Sequence, residues 1–542
     1  MNLLKDPWLS FRFRDGSERK CVITEIINPD VVDFSLPRAD FQGAAYQFVI
    51  GLLQTTFAPS DAEEWAGHYN SPPSLDVLNK ALAQVEHAFN VTGDGPLFMQ
   101  DFDPLAEQAS TTVAGLLIEA PGANGIKLNT DHFIKRGIGH VMSVEMAVLA
   151  LFTLQINAPA GGAGHRVGLR GGGPLTTLLM PTHDDSSLWQ KLWLNIINKG
   201  VWRELDDQPN FSDGSVFPWL APTKLSDKKG SEIYAKYAEK NIHPLHMYWA
   251  MPRRIRLEVE QNPVTCAISG EATECSVTSY RTQNYGGNYS GTWYHPLTPY
   301  KWDPKKPDDD SLSAKGQPGG ITYKNWDALA FSSGEEGQKA AAVVEHYYTL
   351  KKRYRPAESG QIPNLMVFGY DMDNMKARGW YSKSMPLFNI DIRDQDRILN
   401  HVHGVQKLAS NMLWHCRTQV KAAWFEKPGD VKGDTSFIDL AYWQKTESVF
   451  FQLVTQISEN ITNQAELSSL ADSASFWLKQ MQNITLSLFD EYALSDLGNN
   501  RSMAKRIEAR RALTGWLYGG KDIKSFKTKY DVSEKKIEKE SV

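Results

Sequence analysis

The sequence predicts an α+β protein in two parts. A large, mixed and irregular N-terminal domain over residues 1–387 is followed by a C-terminal antiparallel four-helix bundle over residues 388–520. Three observations carry this. The first part mixes strand-like alternation, isolated apolar helical stretches and a glycine-rich run. After Pro386 the pattern changes to long segments with apolar residues every three or four positions. The chain, at 542 residues with 42% hydrophobic and 11% aromatic content, exceeds one ordinary domain and can bury a large core.

Residues 1–30 read as strands and turns, because Trp8-Leu-Ser-Phe-Arg-Phe-Arg14 alternates apolar and polar side chains. Phe41–Phe57 is helical and apolar, Pro72-Pro73 starts a new segment, and helical spacing returns over Leu75–Phe89. A further helix over Ser143–Ile156 places Val144, Val148, Leu151 and Leu154 on one face. The stretch 158–174 holds so many glycines that no regular helix is expected there. Residues 250–330 read as strands and turns, with 303–320 a charged surface loop; 337–352 is helical and Leu365–Tyr370 a short strand. Four helices are expected over 391–425, 435–458, 465–494 and 501–518. In the first, Leu399, Val402, Val405, Leu408 and Met412 share a face; in the third, Trp477, Met481, Ile484 and Leu488 do. Asp434-Thr-Ser and Glu466-Leu-Ser-Ser mark helix starts, and Gly519-Gly520 a stop. Short connections between amphipathic helices imply an antiparallel bundle. The tail 521–542 is rich in Lys and Glu and is expected to be mobile.

The formal net charge of −5 argues against a protein that coats nucleic acid with its whole surface. Local basic loops remain compatible with it, since distant charges are screened within ~8–10 Å. The four cysteines, Cys21, Cys266, Cys275 and Cys416, are not spaced as a disulfide framework. Met1–Leu9 has no signal-like apolar run, and no segment approaches the ~18–20 apolar residues of a membrane span, so a reducing cytoplasm is expected.

None of the common catalytic motifs is present: no Gly-x-x-x-x-Gly-Lys-Ser/Thr, His-Glu-x-x-His, Gly-x-Ser-x-Gly or Cys-x-x-Cys. His183-Asp184 is read as a solvated turn after Met180-Pro181-Thr182, with a metal-dependent nuclease as the alternative. His243 with His246, and His401 with His403, are read as surface or packing residues. Cys266 and Cys275 flank a ribbon-like turn, but Ser269 stands where a zinc knuckle needs a thiolate. No catalytic residue, metal or cofactor is therefore expected, and a protein-binding scaffold is the remaining alternative.

Six phrases have a specificity that composition lacks. They are Met1-Asn-Leu-Leu-Lys-Asp-Pro-Trp-Leu9, Ser35-Leu-Pro-Arg-Ala-Asp40, Pro96-Leu-Phe-Met-Gln100, Val167-Gly-Leu-Arg-Gly-Gly-Gly-Pro-Leu-Thr-Thr177, Trp293-Tyr-His-Pro-Leu-Thr-Pro299 and Phe368-Gly-Tyr-Asp-Met-Asp-Asn-Met-Lys-Ala-Arg378. In this order they resemble the CasA family, the large subunit of the type I-E CRISPR surveillance complex Cascade; the C-terminal helices agree with that family's four-helix bundle in layout. The resemblance implies a non-catalytic subunit at one end of a crRNA-guided complex. Such a subunit checks the protospacer-adjacent motif in double-stranded target DNA, helps open the duplex and offers a docking surface to a recruited helicase–nuclease. The implied partners are the other Cascade subunits, crRNA, target DNA and that nuclease, with no membrane.

It also implies roles for residues. Gly161, Gly162, Ala163 and Gly164 match the family's glycine loop, whose bare backbone approaches DNA. Arg166 and Arg170 are candidates for phosphates; the alternative is a tight structural turn with Arg170 in an internal salt bridge. Asp373, Asn374, Met375 and Lys376 match a hairpin that wedges the duplex open. The family's tip is a glutamine, whereas Asn374 stands here, with Met372 as an apolar partner and Lys376 and Arg378 as phosphate candidates. Asn284 falls at the family's minor-groove lysine, and Arg281 lies close to it. Asn129, His132, Phe133, Lys135 and Arg136 overlap the loop near the guide-RNA handle. On the last bundle helix, Lys505, Arg506, Arg510 and Arg511 either guide the displaced strand or are a solvated face.

Overall fold

The computed structural model describes residues 1–121, 127, 137–162, 164–200, 208–234, 242–317, 319–351, 362–373, 375–430, 435–495 and 503–532. The chain divides into two compact units: Met1–Gln317 with Gly334–Ser384, and Pro318–Ser333 with Met385–Val542.

The first unit begins with a small antiparallel sheet. Its strands β1 (Leu9–Phe13), β2 (Glu18–Cys21) and β3 (Val31–Phe34) lie in the order β2-β1-β3. Leu9, Phe11 and Phe13 are buried while Ser10 and Arg12 alternate outward, as a one-faced strand requires. Helix α1 (Ala39–Thr56) is apolar on nearly every side and correspondingly buried on nearly every side. Its Phe48 meets Trp8, Phe89, Phe98, Phe152 and Trp249 edge-on, at ring-centroid distances of 5.3 to 5.9 Å. This is the favoured geometry for aromatic quadrupoles. Strand β4 (Ser110–Thr112) comes next. Strand β5 (Met142–Ser143) leads into helix α2 (Val144–Asn157), which Ser143 caps by accepting from the Met146 amide. Strand β6 (Thr176–Met180) follows the glycine run. Two long strands, β7 (Arg254–Thr265) and β8 (Ala272–Gln283), form a hairpin, and β4 and β5 pair with the other edge of β8. Strands β9 (Asn364–Asp373) and β10 (Lys376–Pro386) form a second hairpin, in which β9 also pairs antiparallel with β6 from Asn364↔Met180 to Phe368↔Thr176.

The second unit is helical. Its main helices are α3 (Gln395–Trp424), α4 (Ser436–Thr462), α5 (Ala471–Ala493) and α6 (Met503–Gly519). Their alternating direction is visible in the pairs they make. Arg417 meets Asp439 while Ala409 meets Tyr442; Asp490 meets Arg510 while Gln482 meets Leu517; Phe425 meets Lys505 while His415 stacks on Trp516. An antiparallel four-helix arrangement results, as the 3.6-residue periodicity predicts.

Two features of this unit depart from the sequence reading. Residues 318–333, read as loop and strand of the N-terminal part, belong with the helices. Tyr323 stacks on Phe450 at 4.2 Å and Trp326 donates its indole N–H to the Pro386 carbonyl, so aromatic burial draws the segment there. The tail also begins with regular structure at Lys521. Residues Lys521–Lys529 form helix α7, with Ile523, Phe526 and Tyr530 buried and Phe526 packed 5.0 Å from Trp477. These three apolar residues at helical spacing outweigh the lysines around them. Among the described residues, no helix is long and apolar enough to cross a membrane.

Candidate nucleic-acid interface

The C-terminus of α2 delivers the chain into the glycine run within the first unit. The run folds back on its own origin: Gly168 N–H donates to the Ala158 carbonyl at 2.8 Å and Gly173 N–H to that of Asn157 at 3.2 Å. Its tip is a narrow turn in which Gly161 N–H donates to the His165 carbonyl and His165 N–H to the Gly162 carbonyl. Gly162 has φ +87°, is exposed, and a Cβ there would meet nothing within 4 Å. Gly164 has φ +78°, and a Cβ there would sit 2.7 Å from Asn284 Cβ and 3.1 Å from the Tyr285 ring. Only glycine allows this left-handed turn and that close approach together. Ala163 lies outside the described residues.

The two arginines of the run are both engaged within the protein. Arg166 donates from Nε to Ser226 Oγ at 2.7 Å and from Nη2 to the Ser226 carbonyl at 2.5 Å, which fastens the loop to the 226 segment. Arg170 is 5% exposed. It donates to Gln47 Oε1, Thr176 Oγ1, Thr298 Oγ1 and the Ile156 carbonyl at 2.7 to 3.5 Å. These acceptors are all neutral, so the salt bridge of the alternative reading is not what holds it: among the described residues no carboxylate lies within ion-pair distance. Burial pushes its pKa down to about 10. A guanidinium satisfied by α1, α2, β6 and the 295–299 turn at once fixes where the glycine run can lie.

The second hairpin rises beside the other end of the run. Gly173 has φ +60°, and a Cβ there would fall 2.5 Å from Met372 Cγ and 3.0 Å from the Tyr370 carbonyl oxygen. Isolated bridges Pro174↔Lys315 and Gly316↔Asp371 insert the 315–316 segment between run and hairpin. At the tip, Asp373, Met375 and Lys376 are exposed, while Asn374 lies outside the described residues. Arg378, a candidate phosphate ligand, is instead clamped by Asp371 through two bonds of 2.7 and 3.0 Å. Tyr370 donates to Asp40 at 2.5 Å, and Arg38 bridges Asp40 to Glu119, so the tip-proximal part of the hairpin is tied to α1 and, through Arg38, to Glu119. The guide-handle candidates Asn129, His132, Phe133, Lys135 and Arg136 lie outside the described residues.

Of the minor-groove pair, Asn284 packs directly against Gly164, so the structure joins two segments that are far apart in sequence. Arg281 is held by Glu258 at 2.7 Å and by the Ala106 carbonyl. Hydrogen bonds from Ser110 and Ser279, followed by the Arg281 guanidinium, hold the Glu258 carboxyl down at about 2. Lys315, which the sequence reading did not single out, extends its amine to within 3.2 Å of the Cβ position of Gly171. Nothing local in 303–320 marks it, because the bridge that places it joins residues more than a hundred positions apart.

The alternatives have less support in geometry. Among the described residues, no group of three or more His, Cys, Asp or Glu side chains comes together to hold a metal. His246 is buried against Tyr289, His403 pairs with Asp327 and His401 with Tyr530, so these are packing residues. Cys266 is buried and accepts from the Ser269 amide. In the second unit Arg506 is buried, Arg510 is paired with Asp490 and Lys505 with Glu426. The expected basic face of that helix is therefore largely committed internally.

The model of the CRISPR-associated protein Cse1 family matches residues 2–488. The chain belongs to the Cse1 family. This is the family of the type I-E Cascade large subunit, also called CasA. Solved Cse1 structures follow the same backbone course. A CRISPR-associated protein from Thermus thermophilus aligns over 95% of this chain and 99% of its own, at TM-score 0.68 and 16% identity. A structure of Thermus thermophilus CasA (Cse1) aligns over the same shares at 0.66 and 17%. Thermobifida fusca Cse1 aligns over 97% and 98%, at 0.65 and 16%. Identities this low speak for the fold of a Cse1 protein.

Proposed function

We propose that this chain is the non-catalytic subunit that reads the protospacer-adjacent motif for a crRNA-guided type I-E complex in the cytoplasm. The backbone of residues 161–164, with Asn284 beside it, faces the flanking duplex. The hairpin tip at Asp373, Asn374, Met375 and Lys376 acts where the first target base pair opens. Handle contacts fall to the segment holding Asn129, His132, Phe133, Lys135 and Arg136. Other Cascade subunits, crRNA and target DNA are its partners, and its remaining surface includes the docking site for a helicase–nuclease.

One observation carries the reading. The exposed Gly162 turn and the tip-proximal part of the hairpin lie at two ends of one strapped segment, since Gly173 packs on Tyr370 and Met372. A groove reader and a strand separator need to be held in fixed relation, because unstacking costs a few kcal/mol per step and contacts to the duplex must offset it. Backbone groups in the minor groove would read a degenerate donor–acceptor pattern and so tolerate several motifs.

The test uses the complex assembled with its guide and matched duplexes carrying all flanking trinucleotides. Binding should depend on the flank, and Gly162→Asp should weaken binding to the preferred flanks about 10–100-fold, or ~1.4–2.7 kcal/mol, while leaving assembly intact. Flank-independent binding by the wild type would remove the reading. Asn374→Ala should slow duplex opening, followed by permanganate footprinting, more than initial binding.

A further inference from the structure

Tyr285 adopts a left-handed backbone with φ +68°, a strained conformation for an aromatic residue. The strain is held from both sides. Its N–H donates to the Gly164 carbonyl at 2.8 Å, and its own carbonyl accepts from Ser226 N–H at 3.1 Å. With the backbone fixed so firmly, the side chain nevertheless stays out of the core: Tyr285 is 39% exposed. The ring covers Gly164, with ring carbons 3.1 and 3.2 Å from the position of its Cβ. The Arg166 guanidinium, itself tethered to Ser226, lies 5.9 Å from the ring centroid. Gly or Asn would occupy this backbone with less strain, and neither would cost the core anything, because the ring is not part of it. That conformation presents a flat, half-exposed ring beside the bare glycine turn.

We infer that Tyr285 is a DNA-contacting residue. Its ring packs against the sugar wall of the minor groove that the 161–164 backbone approaches, while Asn284, immediately before it, meets the base edges. A tyrosine ring offers a broad apolar face with a polar tip, which suits the weakly charged deoxyribose wall of a groove. The inference rests on the proposed reading of the glycine loop and adds to it the side chain that sets how deeply the loop seats.

Two variants in the assembled complex test it, with the flanking-trinucleotide duplexes as probes. Tyr285→Asn keeps a residue that tolerates the left-handed backbone and removes the ring. It should leave assembly unchanged and the melting temperature equal or higher, yet weaken binding to preferred flanks at least tenfold. Tyr285→Phe should bind within threefold of wild type. Wild-type affinity in Tyr285→Asn overturns the inference. So does a loss of binding that comes with a lowered melting temperature, which would make the ring a packing element, or with lost assembly, which would make it a protein–protein contact. Gly162→Asp serves as the control. If Gly162→Asp and Tyr285→Asn both keep the flank-dependent binding of the wild type, the loop reading itself fails; if only Tyr285→Asn keeps it, this inference alone fails.

Discussion

In the helical unit, α3 buries Ile398, Leu399, Val402, Val405, Leu408 and Met412, and Tyr323, Trp326 and Phe450 fill the space beside it. Around the glycine run the buried contacts are of another kind. Arg170 reaches Gln47, Thr176 and Thr298, Gln155 reaches the Met99 and Arg253 carbonyls, and Asp40 holds Tyr370 and Arg38. Apolar packing is non-directional and tolerates rearrangement, whereas hydrogen bonds at fixed angles specify one loop geometry and fail when one partner is lost. The helical unit is built to be stable; the glycine-run region is built to hold a position.

This contrast can be broken in four ways. Trp326→Ala should cost the helical unit about 3–5 kcal/mol by cavity formation, read by chemical denaturation. Arg170→Met removes the guanidinium but keeps much of its volume, so it should cost about 1–3 kcal/mol, mainly from acceptors left without their donor. Its larger effect should fall on flank-dependent binding. If it costs as much stability as Trp326→Ala and leaves binding unchanged, the two regions do not differ in this way. Third, burial lowers the pKa of His246 to about 4, so the folded protein keeps it neutral. The unfolded chain takes up that proton below its ordinary value near 6.5. The stabilisation is therefore fully present above pH 6.5 and is lost as pH falls from there toward 4, at about 1.4 kcal/mol per pH unit. His246→Gln should flatten that slope. Smallest of all, Lys445→Ala removes an exposed ion pair with Glu491 and should change stability by about 0–1 kcal/mol.

The helices were legible because their signal is local. The expected bounds 391–425 and 501–518 lie close to Gln395–Trp424 and Met503–Gly519. Helix α7 was legible too, in Ile523, Phe526 and Tyr530, but a count of lysines hid the spacing. The glycine run could be read as irregular, yet not as strapped at both ends. That depends on Gln47 and Thr298, which lie on either side of Arg170 at separations of 123 and 128 residues. The partners of Arg166 and Arg378 were illegible for the same reason: Ser226 and Asp371 meet them only in three dimensions. Tyr285 gave no sign of its left-handed backbone in sequence.

The double anchorage of the glycine run also bears on chain length. Its start is fixed by Gly168 and Gly173 bonding back to Ala158 and Asn157, and its exit by the pairing of β6 with β9. One inserted residue between Pro159 and Leu175 would throw the Gly162 turn and the hairpin out of step. An insertion within the exposed stretch Asp303–Asp310 would disturb neither. Homologues of this chain should accordingly vary in length in the second stretch and stay constant in the first.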